Sequence, residues 1–154
     1  MKFVIQCTTQ ASVTIDQKLY SEIGKGFLVL IGICDEDTKE TADKMVRKLI
    51  GMRIFSDENG KTNLALKDVD GQLLLVSQFT LYADCKKGNR PSFVKAGSPQ
   101  HANELYEYII DACKKEVPVV KTGVFGAEME VALINDGPFT IILDSKDQVG
   151  GQGL

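Results

Sequence analysis

Near the middle of the chain, a run of leucine and valine at positions 73–76 ends abruptly at Ser77, Gln78, Phe79 and Thr80. A strand with one face in water alternates apolar and polar residues, so a run without alternation is typical of a strand buried on both faces. A side-chain period of two would place Ser77 and Phe79 on one face and Gln78 and Thr80 on the other. Buried hydroxyl and amide groups need hydrogen-bond partners. The stretch therefore predicts a central strand whose polar end either bonds neighbouring backbone or takes part in function.

The other periodic segments predict an α/β fold. Residues 3–15 alternate as one long strand with a bend or bulge midway, and residues 27–33 are apolar throughout, as in a second buried strand. Asp37 is the predicted N-cap of one helix, with Glu40 at the reciprocal capping-box position, and a serine before Pro99 starts a second helix. Both helices are amphipathic, so each has one face to bury. We expect a three-layer β/β/α sandwich.

Length and composition limit the class of protein. The 154 residues suit a single domain, with residues 1–145 as that domain and residues 146–154, which hold three glycines, as a flexible C-terminal tail. No apolar run approaches the ~20 residues of a membrane span, and the first residues lack a secretory signal pattern. Four scattered cysteines and one histidine argue against a disulfide framework and a metal site, and so for a reducing cytoplasm.

The charge pattern restricts any contact with nucleic acid to a local one. The formal net charge is −3, whereas a protein that binds nucleic acid without regard to sequence is usually basic. Lys86, Lys87, Arg90 and Lys95 lie in a stretch without an acidic residue, and its glycine and proline mark it as a loop. The stretch is either a solvated basic loop or an RNA contact, since loops often carry function.

A second turn-rich stretch, from Asn135 to Thr140, lies between two apolar runs. Its Asp-Gly and Gly-Pro pairs mark a turn, and Gly137 can take backbone angles that are closed to other residues. A tight tip also tolerates a cis bond before Pro138. We expect a tight tip between two strands here, with an ordinary hairpin loop as the alternative.

Together, the two stretches resemble the signatures of the D-aminoacyl-tRNA deacylase family, a Ser-Gln-Phe-Thr motif and an Asn-x-Gly-Pro-x-Thr motif. The resemblance extends from Met1 to about Ser145, and it includes shorter motifs at residues 10–14, 53–55, 86–91 and 125–129. It implies an α/β domain that forms a homodimer and hydrolyses the ester bond of D-aminoacyl-tRNA, a proofreading step of translation in the cytoplasm. The implied partners are the aminoacylated tRNA end and a second copy of the chain, with no cofactor, metal, membrane or DNA.

Ester hydrolysis usually needs a nucleophile, a proton acceptor and donors for the oxyanion. Ser77 and Thr80 could be nucleophiles, but the one histidine, His101, falls on a distant predicted helix, where we interpret it as a surface residue. Lysines of an exposed loop do not have a pKa low enough to act as bases. A Ser-His-Asp mechanism is therefore disfavoured.

The resemblance implies RNA-assisted catalysis instead, in which the ribose 2′-hydroxyl beside the ester belongs to the substrate. Main-chain groups around Phe79 and Thr80 would hold the scissile carbonyl. Ser77, Gln78 and Thr80 would orient the ester and the attacking water. Positioning of this kind can accelerate the hydrolysis of a reactive ester without a histidine base.

The resemblance also implies a chiral filter. Gly137 and Pro138 would form a cis pair inserted into the partner subunit's site, where rigid backbone rejects L-amino acids and admits D-amino acids and glycine. Asn135 and Thr140 belong to the same motif and would support the pair.

The family positions that contact RNA are also present in this chain. Phe125 and Met129 match positions that pack the terminal adenine, where stacking is expected. Lys86, Lys87 and Arg90 would contact phosphates of the acceptor stem.

The chain departs from the family pattern at Cys7, where an arginine normally bonds the Gly-Pro segment, and at Phe139, which replaces the usual valine. A thiol cannot donate several charged hydrogen bonds, so either another donor holds the segment or its geometry and stringency differ. Two other functions stay open at this point. One is a non-catalytic dimer that binds tRNA ends, and the other is hydrolysis of small D-amino-acid esters or peptides.

Overall fold

In the computed structural model, a mixed β-sheet forms the centre of the protein, and two long helices pack against one of its faces. The structure describes residues 1–148. The elements in chain order are β1 (Lys2–Ile15), β2 (Lys18–Ile23), β3 (Gly26–Gly32), α1 (Lys39–Gly51), β4 (Phe55–Ser56), β5 (Thr62–Leu64), β6 (Gln72–Ser77), α2 (Pro99–Lys114), β7 (Val120–Thr122), β8 (Glu130–Asp144) and α3 (Ser145–Gln148). Two 3₁₀ turns lie at Leu66–Val69 and Phe79–Tyr82. Among these residues, no helix is long and apolar enough to cross a membrane.

Strand β1 organises the sheet, because three other strands pair with it. β8 pairs antiparallel with both halves of β1, and the opposite edge of β1 is shared by β3 at Lys2–Thr8 and by β2 at Ala11–Ile15. β6 and β7 then extend the sheet beyond β3 with parallel pairing. The register between β1 and β8 shifts on either side of Thr8. This irregularity confirms the predicted interruption of the long strand.

The predicted burial of the 73–76 run on both faces is confirmed. Leu73 and Leu75 belong to the apolar cluster that the helices cover, whereas Leu74 and Val76 belong to a second cluster on the other face of the sheet. All four side chains are at most 1% exposed. The mixed sheet, which is nearly barrel-like, and its helices thus form one α/β domain around two apolar clusters.

The predicted N-cap of α1 is wrong by one residue. Thr38, not Asp37, caps the helix, since the Thr38 hydroxyl accepts a hydrogen bond from the Thr41 amide at 3.2 Å. The Asp37 carboxylate is 5% exposed and accepts from the Met1 ammonium at 2.7 Å and from the Cys34 amide at 2.8 Å. A buried carboxylate requires a charged partner, and the ammonium group supplies it.

The predicted tight tip between two strands is also wrong. Both apolar runs belong to β8 and pair with the same strand, β1, so the chain continues in one direction through this segment. Residues 136–139 have no pairing partner on β1 and form a bulge. We call residues 136–139 the β8 bulge.

The first residues of the predicted C-terminal tail lie in α3, where the Ser145 amide donates to the Met1 carbonyl at 2.9 Å. Residues 149–154 of that tail lie outside the described residues. The boundary between the domain and the tail stays a prediction.

Candidate active site

A pocket of about 650 Å³ opens at the end of β6. We call it the β6 pocket. Its lining comes from the end of β6 and the following turn, from the segment that leads into α2, and from the segment between β7 and β8. The lining is mostly apolar, as is usual in a small-molecule site, with a few polar groups contributed by the strand end. The predicted central strand therefore ends in the wall of a cavity.

The stretch from Ser77 to Thr80 does not continue as a strand. The Gln78 amide donates to the Ile31 carbonyl at 2.8 Å, and the chain then enters the 3₁₀ turn at Phe79. The predicted alternation of faces beyond Ser77 is wrong because a 3₁₀ turn has three residues per turn rather than two. Ser77, Gln78 and Phe79 line the β6 pocket. Thr80 is exposed outside the lining, and its hydroxyl lies 2.6 Å from the Gln78 side-chain nitrogen, which donates to it.

Phe125 and Met129 line the same pocket from the segment between β7 and β8. Phe125 packs on the ring of Tyr106 with the two centroids 6.2 Å apart. The buried Tyr106 hydroxyl donates to the Leu75 carbonyl at 2.7 Å, and burial raises the pKa of this phenol, so it remains a donor at neutral pH. The wall that carries Phe125 is thus tied to the strand that carries Ser77.

The three candidate phosphate-binding cations lie outside the pocket. Lys86, Lys87 and Arg90 are exposed on a loop whose base is closed by two backbone hydrogen bonds between Asp84 and Ser92, of 2.7 and 2.9 Å. Within residues 1–148, none of the three forms a salt bridge. We call residues 85–91 the basic loop.

The rim of the pocket contains an aromatic residue that the sequence reasoning missed. Phe93 lies two residues after the basic loop, lines the β6 pocket and packs edge-on against Phe79, with centroids 5.2 Å apart. Phe79 is 55% exposed and Phe93 37% exposed, so both rings are available to a ligand. The available signal was an aromatic residue within a basic stretch, a combination typical of sites for single-stranded nucleic acid.

Gly137 and Pro138 do not line the β6 pocket of their own chain, and both are exposed on the β8 bulge. The peptide bond between them is cis. Asn135 braces the bulge by connecting its two ends, because its side-chain oxygen accepts from the Phe139 amide at 2.9 Å and its nitrogen donates to the Thr140 hydroxyl at 3.0 Å.

Cys7 is buried on β1 beside this segment, since its neighbour Thr8 pairs with Asn135. Burial, followed by the charge of Asp136, raises the pKa of the Cys7 thiol to about 11. The thiol is therefore neutral at pH 7 and provides no charge for the bulge. Asn135, directly before the bulge, instead makes two hydrogen bonds to its C-terminal end, at Phe139 and Thr140.

The pocket holds few groups that could move a proton. The His101 imidazole lies 3.0 Å from the Asp37 carbonyl and outside the pocket lining, and it is half-buried rather than fully at the surface. Glu128 is the one ionisable side chain among the described residues that line the pocket. No group of three or more metal-ligating side chains occurs within residues 1–148. The arrangement suits binding and orientation of a ligand rather than catalysis by a histidine base.

The fold and the pocket define a single-domain α/β protein with hydroxyl and amide groups at a strand end inside an apolar cavity. The family model described as D-Tyr-tRNA(Tyr) deacylase matches residues 4–144, and the chain belongs to this family. The chain is 51% identical over 148 residues to a D-aminoacyl-tRNA deacylase of Clostridium novyi, covering 96% of this chain and 99% of the relative. It is 50% identical over 146 residues to a D-aminoacyl-tRNA deacylase of Clostridium acetobutylicum, covering 95% and 98%.

Two solved structures share the fold. One, titled c-Myc DNA Unwinding Element Binding Protein, is 41% identical with a TM-score of 0.88, covering 94% of this chain and 98% of its own. The other, titled as a probable eukaryotic D-amino acid tRNA deacylase, is 19% identical with a TM-score of 0.77, covering 92% and 97%. At that identity the second likeness supports the fold alone.

Proposed function

We propose that this protein hydrolyses the ester bond of D-aminoacyl-tRNA and releases free D-amino acid and tRNA. The chain is a member of a family of ester hydrolases that act in translation proofreading. The observation that carries the proposal is the position of Ser77, Gln78 and Phe79 in the wall of the β6 pocket. We place the reaction in the cytoplasm, where aminoacyl-tRNA is consumed.

The proposed mechanism is RNA-assisted. Water oxygen forms the new bond to the carbonyl carbon, the bond from that carbon to the ribose 3′-oxygen breaks, and the 3′-oxygen leaves with a proton relayed by the adjacent 2′-hydroxyl. Main-chain groups around Phe79 and Thr80 hold the carbonyl, and Ser77 and Gln78 orient the ester and the water. The lack of a histidine in the pocket lining favours this route.

The proposed ligand geometry uses one wall of the pocket and the basic loop outside it. Phe125 and Met129 pack the terminal adenine in an apolar, partly aromatic wall. Lys86, Lys87 and Arg90 bind acceptor-stem phosphates, which their exposure and lack of salt bridges within residues 1–148 support.

Chiral selection is assigned to the β8 bulge of a second copy of the chain. Gly137 and Pro138 are exposed and lie outside the lining of their own pocket, so we propose that they reach a pocket in a homodimer. Exposed Ile134 and Ile142 on β8 supply apolar surface for that contact. Rigid backbone at this point leaves room for a D-side chain or for glycine, so glycyl-tRNA is a further proposed substrate.

The proposed architecture of the protein is a three-layer β/β/α sandwich. The two apolar clusters on opposite faces of β6 support it, because one lies beneath the helices and the other lies among strands. Two layers of sheet and one of helix would account for both clusters.

The test measures release of tyrosine from D-Tyr-tRNA and L-Tyr-tRNA, and of glycine from Gly-tRNA, with 2′-deoxy-terminated D-Tyr-tRNA as a matched control. We expect release from the D-ester and the glycyl ester, none from the L-ester, and a large loss without the 2′-hydroxyl. Equal hydrolysis of the 2′-deoxy substrate would contradict the RNA-assisted mechanism. Tight tRNA binding with no release would favour the non-catalytic tRNA-binding dimer.

Two further measurements complete this test. Sedimentation of the full chain should give a dimer, and a monomer with full chiral selection would contradict the role of the second copy. Duplex DNA serves as competitor, because a 41% identical structure carries a DNA-binding title. Competition as strong as that of tRNA would contradict tRNA as the preferred partner.

A further inference from the structure

We propose that Asp84 is a positioning residue that fixes the basic loop to the aromatic rim of the β6 pocket. Its carboxylate would hold the phosphate-binding cations at a set distance from the ester site, so that a tRNA engages both at once. The inference rests on the proposed function, because it assigns a role to the loop in binding the same substrate.

Every polar atom of Asp84 is used at the base of the loop. One carboxylate oxygen accepts from the Lys86 amide at 3.0 Å, and the other lies 3.1 Å from the Lys95 ammonium. Its backbone amide donates to the Ser92 carbonyl at 2.7 Å, and its carbonyl accepts from the Ser92 amide at 2.9 Å. Asp84 therefore bonds to the basic loop itself and to the chain that follows it.

Both ends of this clamp lead directly into the pocket. Upstream, the Ala83 amide donates to the Thr80 carbonyl at 3.0 Å, which joins the clamp to the 3₁₀ turn that begins at Phe79. Downstream, Ser92 is followed by Phe93, whose ring packs against that of Phe79 at 5.2 Å. A shift of the loop base would therefore displace the basic loop relative to the two rim rings, which also pack against each other.

Because Asp84 is negatively charged, positioning of the loop and simple Coulomb attraction predict opposite effects of its removal on phosphate binding. Asp84 is an acid beside the cations of the basic loop, so its removal raises the local positive charge. Coulomb attraction alone would then strengthen the binding of phosphates. Positioning predicts the opposite result, because cations on a loosened loop lose their common alignment. The Lys86 amide, followed by the Lys95 ammonium, holds the pKa of Asp84 below its usual value, so the carboxylate is charged at neutral pH.

The experiment compares the full-length wild type with Asp84→Ala and Asp84→Asn. Alanine removes the carboxylate and both of its bonds, whereas asparagine keeps the acceptor for the Lys86 amide and removes the charge that pairs with Lys95. Asp111→Asn on the exposed side of α2 is the control for the same change in net charge. Each variant is assayed on D-Tyr-tRNA and on a D-tyrosyl CCA trinucleotide, which retains the ester and adenosine but has no acceptor stem.

We expect Asp84→Ala to raise KM for D-Tyr-tRNA about tenfold, which corresponds to about 1.4 kcal/mol of binding. Activity on the trinucleotide should remain within about twofold, and Asp84→Asn should fall between alanine and wild type. The slope of log KM against log salt should become shallower by about 0.7–0.9 for each phosphate that the loop no longer binds.

Three results would overturn the proposal. An unchanged or lower KM of Asp84→Ala for D-Tyr-tRNA would show that Asp84 affects tRNA binding through its charge and not by positioning the basic loop. Equal losses on the tRNA and the trinucleotide would show damage to the pocket itself. An equal effect of Asp111→Asn would show a response to net charge. If the wild type releases no tyrosine, the proposed function fails by itself, and the affinity of the same variants for uncharged tRNA then decides the role of Asp84.

Discussion

Replacing Asn135 by alanine should weaken chiral discrimination without abolishing hydrolysis. The side chain makes two hydrogen bonds across the β8 bulge, to the Phe139 amide at 2.9 Å and to the Thr140 hydroxyl at 3.0 Å. At about 0.5–1 kcal/mol each for partly exposed groups, their loss removes about 1–2 kcal/mol of ordering free energy. A change of that size alters the ratio of aligned to misaligned bulge by about 5–30-fold. We expect the rate on L-Tyr-tRNA, relative to D-Tyr-tRNA, to rise by the same factor.

Thr140→Val is the matched control for this variant, because it removes one of the two bonds and keeps the bond between Asn135 and Phe139. Thr140→Val should raise the rate on L-Tyr-tRNA, relative to that on D-Tyr-tRNA, by about two- to fivefold. The assay is single-turnover release of labelled tyrosine from both esters, with a parallel denaturation curve for each variant. An unchanged L/D ratio in Asn135→Ala, accompanied by the expected loss of stability, would refute the role of the brace. A larger effect of Thr140→Val than of Asn135→Ala would refute the assignment of the two bonds.

Three further results follow from buried and hydrogen-bonded groups. Asp37→Asn should lower the free energy of unfolding by about 3–5 kcal/mol, since it leaves a buried ammonium without its charge partner, and urea denaturation measures the change. Iodoacetamide should modify the native protein at the exposed Cys85 alone, because Cys7, Cys34 and Cys113 are buried and burial raises the pKa of Cys7 and Cys113 to about 11 and 12; peptide mass mapping would show any second adduct. The pKa of Asp57 is lowered by hydrogen bonds within its turn, above all the one from the Lys61 amide. The ionised carboxylate therefore stabilises the fold above the ordinary pKa of an aspartate, and this stabilisation is lost as the pH falls through the lower pKa of the folded state. The stability difference between wild type and Asp57→Asn should accordingly shrink on acidification, and a constant difference would contradict this linkage.

The architecture follows largely from patterns that depend on burial. The 73–76 run and the 27–33 run lack alternation, and both are strands with side chains buried on two faces. Local hydrogen bonding was harder to predict. Aspartate is a residue type common at N-caps, but the Asp37 carboxylate pairs with an ammonium group that is 36 residues away in the chain. A distant partner of this kind leaves no local signal.

The candidate site was predicted in part. An apolar run marks the strand end at Ser77, and the family resemblance marks Phe125. Both residues line the β6 pocket, and their roles stay predictions. The sequence did not indicate that the β8 bulge belongs to one continuous strand, since Asp-Gly and Gly-Pro pairs are equally typical of a hairpin tip. Phe93 was missed because its role depends on packing against Phe79 across the basic loop. Such packing is set by tertiary structure rather than by spacing.

The pairing of β1 with β8 has a consequence for synthesis of the protein. Lys2 lies opposite Asp144, so one edge of β1 stays unpaired until residue 144 has left the ribosome. At roughly 5–20 residues per second, β1 waits on the order of ten seconds with that edge open. An open strand edge is a template for pairing with other nascent chains. Closure of the sheet, and with it the burial of the Met1 ammonium between Asp37 and Ser145, therefore follows the synthesis of β8.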